Sequence, residues 1–219
     1  MRTKLYIASS DPLADSARFD RLAGIIPEVR REKLAAFRHE GARRLSLAAS
    51  LLLVRALSDE GLCADEIALT EYGKPYLPQL PDFHFSLSHS GNMALCVVSS
   101  DPVGCDIELP RKFDPAIANR FFHPAEQEWL FSRPEAEQSS AFLRLWTCKE
   151  SFIKALGLGL SLPLDSFAVI PGEEVQLTQS GDPRPWQLRS FRDGESFLAL
   201  CGLTDIADAP LIHVDFGEA

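Results

Sequence analysis

Val103-Gly104-Cys105-Asp106-Ile107-Glu108 and, further along, Trp146-Thr147-Cys148-Lys149-Glu150-Ser151-Phe152-Ile153-Lys154 decide how this chain is read. In a strand, alternate side chains leave opposite faces. Val103, Cys105 and Ile107 therefore point into a core, and Asp106 and Glu108 share the other face. In the second segment Phe142, Leu145, Lys149, Phe152 and Leu156 trace a helical stripe. Glu150 and Lys154, four apart, share a different face. Two acids from a strand and an acid and an ammonium from a helix suit one chemistry when they converge: a hard divalent cation bound against a phosphate. Taken singly, Asp-x-Glu is as well a solvated strand face, and Glu150–Lys154 an ordinary surface ion pair.

Outward from these segments the pattern is mixed. Helices are predicted over residues 27–38, 42–57, 113–122, 124–131 and 139–156, the last closed by Gly157 and Gly159. Strands are predicted at 5–8, 67–70, 83–87, 93–98, 103–108, 167–170, 175–178, 186–191, 197–202 and 211–216. Ser88-His89-Ser90-Gly91 reads as a turn whose hydroxyls and amides can hold a phosphate. Tyr72-Gly73-Lys74-Pro75 and the proline-rich stretch 78–81 read as loops. The element order gives an α+β chain of two similar halves, 1–104 and 105–219, with the seam near residue 105.

The chain has 219 residues and a formal net charge of −9, and 46% of its residues are hydrophobic. A sizeable core follows, and the charge argues against nucleic acid or an anionic membrane as the main partner. The cationic residues that stand out, Arg30, Arg31, Lys33, Arg38, Arg43 and Arg44, are crowded into one stretch. Five cysteines with no Cys-x-x-Cys pairing read as buried reduced thiols of a cytoplasmic protein. No apolar run is long enough for a membrane span. The histidines lack zinc-ligand spacing, and there is neither a Walker loop nor a Rossmann glycine pattern. A nucleophilic Ser–His pair at 88–89 is disfavoured, because adjacent residues do not readily face each other and no Gly-x-Ser-x-Gly elbow occurs.

Taken together, Tyr72-Gly73-Lys74-Pro75, the segment from Pro81 to Gly91, Gly104-Cys105-Asp106-Ile107-Glu108, Arg120-Phe121-Phe122, the segment from Leu145 to Lys154 and the segment from Gly159 to Phe167 resemble the Sfp-type 4'-phosphopantetheinyl transferases. The paired patterns Gly-x-Asp-x-Glu and Trp-x-x-Lys-Glu-x-x-x-Lys carry most of that resemblance.

The resemblance implies two halves related by a pseudo-twofold axis, with coenzyme A in the cleft between them. It implies Mg²⁺-dependent transfer of the phosphopantetheine arm to a serine of an apo acyl or peptidyl carrier protein, releasing adenosine 3',5'-bisphosphate. By the same resemblance Asp106, Glu108 and Glu150 hold Mg²⁺, and Lys154 meets the pyrophosphate. Ser88 and His89 bind the pyrophosphate or the 3'-phosphate. Tyr72, Gly73, Lys74 and Pro75 border the adenine. Arg30, Lys33 and Ser46 attend the 3'-phosphate, and residues 113–122 lie where the carrier docks. Glu150 is a ligand or a base, and both roles stay open. Both halves complete the cleft within one chain, which favours a monomer. A Mg²⁺-dependent phosphohydrolase acting on a diphosphate such as coenzyme A is the alternative.

Overall fold

The computed structural model describes residues 1–217. In chain order the first half holds strand β1 (Lys4–Ser9), helices α1 (Ser16–Ala23), α2 (Glu28–Ala36) and α3 (Glu40–Asp59), and strands β2 (Ala68–Leu69), β3 (Pro75–Tyr76), β4 (His84–Ser90) and β5 (Met93–Ser99). The second begins with strand β6 (Val103–Glu108) and helices α4 (Pro115–Phe121), α5 (Pro124–Phe131) and α6 (Glu135–Leu156). Strands β7 (Ala168–Pro171), β8 (Val175–Thr178), β9 (Gln187–Asp193), β10 (Ser196–Gly202) and β11 (Leu211–His213) follow.

Two sheets stack face to face between two long helices. The first has strand order β11-β1-β5-β4 and the second β6-β10-β9. Period-two alternation sorts their side chains. Tyr6, Ala8, Ala94, Cys96 and Val98 point at α3, packing on Leu47, Ala48, Leu51 and Leu52. Leu5, Ile7, Leu95 and Val97 point the other way, onto Val103, Cys105, Ile107, Leu198 and Leu200. Beyond the second sheet, Ala199 and Cys201 meet Cys148, Phe152 and Ala155 of α6. The architecture is α+β, helix–sheet–sheet–helix.

Gly104 lets α6 lie directly on β6. A Cβ there would stand 2.1 Å from the Ser151 carbonyl oxygen and 2.3 Å from the Ala155 amide nitrogen. Those are backbone atoms, so no rotamer change relieves the clash. Gly157 ends α6 with φ 75, a left-handed conformation that glycine adopts at low cost.

The structure departs from the sequence reading in identifiable places. Ser88 and His89 lie within β4, and the turn is Gly91-Asn92, with Gly91 at φ 59. The reason is antiparallel pairing with β5, Ser88 opposite Leu95 and His89 opposite Ala94. Across the seam, Ser86 Oγ accepts from the Cys105 amide at 3.3 Å, and Ser90 Oγ accepts from the Leu109 amide at 3.2 Å. Side-chain hydroxyls thus serve β6 where a neighbouring strand's carbonyls would.

The 104/105 division falls inside β6, which pairs along its length with β10, so the change of sheet comes in the turn before Val103. Strand β11 returns to the first sheet, parallel to β1, and stops at His213 rather than continuing to 216. Helix α6 starts at Glu135, one turn earlier than expected, with Glu135 and Glu137 favourably placed in its first turn. Helix α1 was not foreseen. Asp15 caps it by accepting from the Arg18 amide at 2.7 Å. No helix among the described residues is long and apolar enough to cross a membrane.

Candidate active site

A cavity of about 840 Å³ opens where β4, β6 and α6 meet α2, α3 and the 72–75 loop. Every site residue named from the sequence lines it: Arg30, Lys33, Ser46, Tyr72, Gly73, Lys74, Pro75, Ser88, His89, Asp106, Glu108, Glu150 and Lys154. Phe37, Phe85, Phe121, Trp146 and Leu164 also line it, and none of these five was singled out from the sequence as a site residue.

At one end, Lys154 Nζ donates to Asp106 Oδ1 at 2.6 Å and to Ser88 Oγ at 2.9 Å. Ser88 Oγ in turn donates to Asp106 Oδ1 at 2.6 Å. The Lys154 side chain is 28% exposed and that of Asp106 7%. Burial alone would lower the Lys154 pKa, but Asp106 outweighs it and holds the ammonium above its usual range. Asp106 itself is pushed up by burial; Lys154 and Ser88 oppose that shift, and Glu108 adds to it. The other oxygen, Asp106 Oδ2, is buried with no hydrogen-bond partner. Glu150, half-buried, is pushed up by burial and by the charges of Asp106 and Glu108, against the pull of Lys154.

Glu108 is differently engaged. Its Oε2 accepts from Ser90 Oγ at 2.7 Å, and its Oε1 pairs with Arg111 at 3.3 Å. Among the described residues no three His, Cys, Asp or Glu side chains are gathered closely enough to form a ready metal cluster. The donor set nevertheless suits a hard cation: a desolvated carboxylate oxygen without a partner, and a second half-buried carboxylate beside it.

The other end is cationic. Burial lowers the pKa of Arg30, and burial together with Arg30 lowers that of Lys33. Burial also lowers His89, as do Lys154 and Lys33. Mutual repulsion of this kind marks a surface whose charges an anion would relieve.

Lys74 does not present its ammonium to the cavity as a free charge. Its Nζ donates to the Val103 and Ala155 carbonyls, both at 3.1 Å. Burial brings its pKa down to about 8. The first-half loop is thereby tied to β6 and to the last turn of α6. Lys149, inside the Trp-x-x-Lys-Glu pattern, stays out of the cavity altogether. Its Nζ reaches both carboxylate oxygens of Glu126 at 2.6 and 2.7 Å and the Phe167 carbonyl at 2.9 Å. Cys148 is buried, and its thiol is pushed up to about 12, which removes it as a nucleophile.

A cleft with cations at one end and acids around a lysine at the other suits a multiply phosphorylated ligand. Comparison with known proteins gives the family. Residues 102–201 match the model of the 4'-phosphopantetheinyl transferase superfamily. A 4'-phosphopantetheinyl transferase of Bacillus subtilis is 38% identical over 204 residues, covering 90% of this chain and 91% of the relative. The 4'-phosphopantetheinyl transferase Sfp of Bacillus subtilis strain 168 is 39% identical over 178 residues, 80% of each chain. The psf-1 enzyme of Bacillus pumilus, of the same description, is 36% identical over 181 residues, 80% of this chain and 78% of the relative. A solved holo-(acyl-carrier-protein) synthase from Bacillus anthracis in complex with CoA superposes with a TM-score of 0.41 at 16% identity, over 47% of this chain and 94% of that one. This chain belongs to the 4'-phosphopantetheinyl transferase family.

Proposed function

We propose that this protein moves the 4'-phosphopantetheine arm of coenzyme A onto a serine hydroxyl of an apo acyl or peptidyl carrier protein, releasing adenosine 3',5'-bisphosphate. The observation that carries this reading is the two-ended cavity. The cations Arg30 and Lys33 and the imidazole of His89 line it together with Asp106, Glu150 and Lys154. Coenzyme A has the matching charge pattern, a 3'-phosphate separated from a pyrophosphate. The Tyr72–Pro75 loop and the apolar wall between these ends suit its adenine and its pantetheine arm.

Asp106 and Glu150, with Glu108, would hold Mg²⁺ on the pyrophosphate. When bound, that ion supplies charge neutralisation at the phosphorus and at the departing oxygen. The chain's own groups do the rest. Lys154, kept charged by Asp106, donates toward the same phosphate oxygens. Ser88 fixes Asp106 and Lys154 together. Glu150, with its raised pKa, is placed to take the proton of the attacking hydroxyl, directly or through a water. The two-half organisation divides the labour: α2 and α3 grip the 3'-phosphate, β6 and α6 grip the pyrophosphate. Helix α4, with Phe121 exposed at the cavity rim, offers the docking face for the carrier. Since a single chain contributes both ends, a monomer suffices, and its substrates place it in the cytoplasm. The hydrolase alternative finds no support among the relatives, which are named as transferases.

The test is direct. Incubate the protein with coenzyme A, Mg²⁺ and an apo carrier, and weigh the carrier. A mass gain of one phosphopantetheine arm is the expected result. Coenzyme A consumed with no gain on any of several carriers would reject the transferase reading.

A further inference from the structure

Arg30 meets the cavity from α2, but its aim is set by a residue of α3 that no motif singles out. Ser50 is 1% exposed. Its Oγ donates to the Ser46 carbonyl one turn back, at 2.7 Å. With that proton committed, the hydroxyl turns its lone pairs outward and accepts from Arg30 Nε at 2.9 Å. Arg30 is thus held at its inner nitrogen, and its two terminal amino groups carry no hydrogen-bond partner among the described residues. Those groups form the fork that recognises a phosphate by two parallel hydrogen bonds. A guanidinium on a long side chain has many rotamers, and one buried acceptor at Nε removes most of them.

We propose that Ser50 is a positioning residue for discrimination between coenzyme A and its 3'-dephospho form, acting by orienting the Arg30 fork at the 3'-phosphate. The inference rests on the transferase reading and on the assignment of Arg30 to that phosphate. Lysine cannot replace the arrangement. It carries charge at one nitrogen only, so it cannot bond Ser50 at one atom and the phosphate at two others.

The experiment measures kcat and KM for coenzyme A and for 3'-dephospho-coenzyme A, with Mg²⁺ and an apo carrier, in the native protein and in S50A, R30A, R30K and S50A/R30A. S50A is expected to raise KM for coenzyme A about 3- to 10-fold, the effect of one lost hydrogen bond. Its kcat and its KM for the dephospho substrate should stay near native values. S50A/R30A should be no worse than R30A, and R30K should lose discrimination as S50A does.

A loss that falls equally on both substrates means Ser50 only supports the fold, and overturns the proposal. An S50A protein with native discrimination, beside an R30A protein that has lost it, overturns the role of Ser50 and leaves the reading of Arg30 standing. An R30A protein with native KM for coenzyme A removes both. If S50A is insoluble, S50C decides, since its thiol is close in size and a weak acceptor: native discrimination in S50C overturns the proposal, and a raised KM for coenzyme A alone supports it.

Discussion

Lys149 and Glu150 are neighbours in α6 with opposite surroundings. The Lys149 side chain is fully buried and is bonded to Glu126, whose side chain is equally buried. Glu150 faces the cavity. Glu126 also accepts from the His123 amide at 2.9 Å and the Val169 amide at 2.7 Å. One ion pair therefore joins α5, α6 and β7, and it fixes the rotation of α6 that turns Glu150 and Lys154 toward β6.

Lys149→Met should therefore destabilise the fold by about 3–5 kcal/mol, because it strands a buried carboxylate. Adding Glu126→Met should recover only part of that loss, since the two amides that Glu126 serves would be left without an acceptor. Urea unfolding of the single and double variants measures both. Full recovery in the double variant would refute this account of the pair.

Glu150→Gln should trade activity for stability. Burial and the neighbouring acids raise the Glu150 pKa in the folded state. Between its ordinary value near 4.5 and the raised value, the folded state holds the proton more tightly than the unfolded one. Stability from this group therefore falls as pH rises through that window. Above that window the penalty is fully present, and glutamine removes it. Without Mg²⁺ the variant should melt higher than the native protein, and added Mg²⁺ should raise the native melting temperature more than the variant's. Transfer should drop at least about 100-fold. Calorimetry with and without Mg²⁺, beside the mass assay, checks all three.

Gly104→Ala should be far costlier than its single methyl suggests. The new Cβ meets backbone of α6 on contact distances no atom tolerates. We predict a loss on the order of 3 kcal/mol or more, the upper range for overpacking. Because Asp106 is two residues on, transfer by whatever protein remains folded should fall as well. Near-native stability by denaturant titration would contradict the packing described.

Lys74→Met tests what that ammonium does. With a folded pKa of about 8 against an ordinary 10.5, the unfolded state holds the Lys74 proton more tightly between these values. Stability from this group should rise as pH climbs from about 8 to 10.5. The methionine variant should lack that slope while keeping the packing of the stem. Melting temperatures across the alkaline range read the difference.

How far the sequence revealed all this depended on the signal each residue carries. Strand β6 was legible because Val103, Cys105 and Ile107 alternate with the polar positions and both sheets need that alternation. Helix α6 was legible from its long apolar stripe. Ser88 and His89 were misplaced into a turn because Ser-His-Ser-Gly has turn composition; the ladder with β5 carries the strand through to Ser90, and the polar side chains of this stretch are then used by the amides and carboxylates of β6, far along the chain. The separate engagement of Glu108 with Ser90 and Arg111 was equally invisible, since it depends on a strand and a loop meeting in space. Ser50 passed unnoticed because a small residue inside an apolar helix looks like packing. The available clue was its spacing of four from Ser46.

Strand β11 leaves the last described stretch of the chain lying parallel to the first, Leu5 opposite Leu211. That contact spans nearly the whole sequence, so its loop-closure entropy is among the largest the fold must overcome. Until it forms, β1 is an open edge, with bonding groups that another molecule can capture. Clipping the chain ahead of Leu211 would leave the cavity's side chains in place and yet turn a dispersed protein into one that sticks to its own copies.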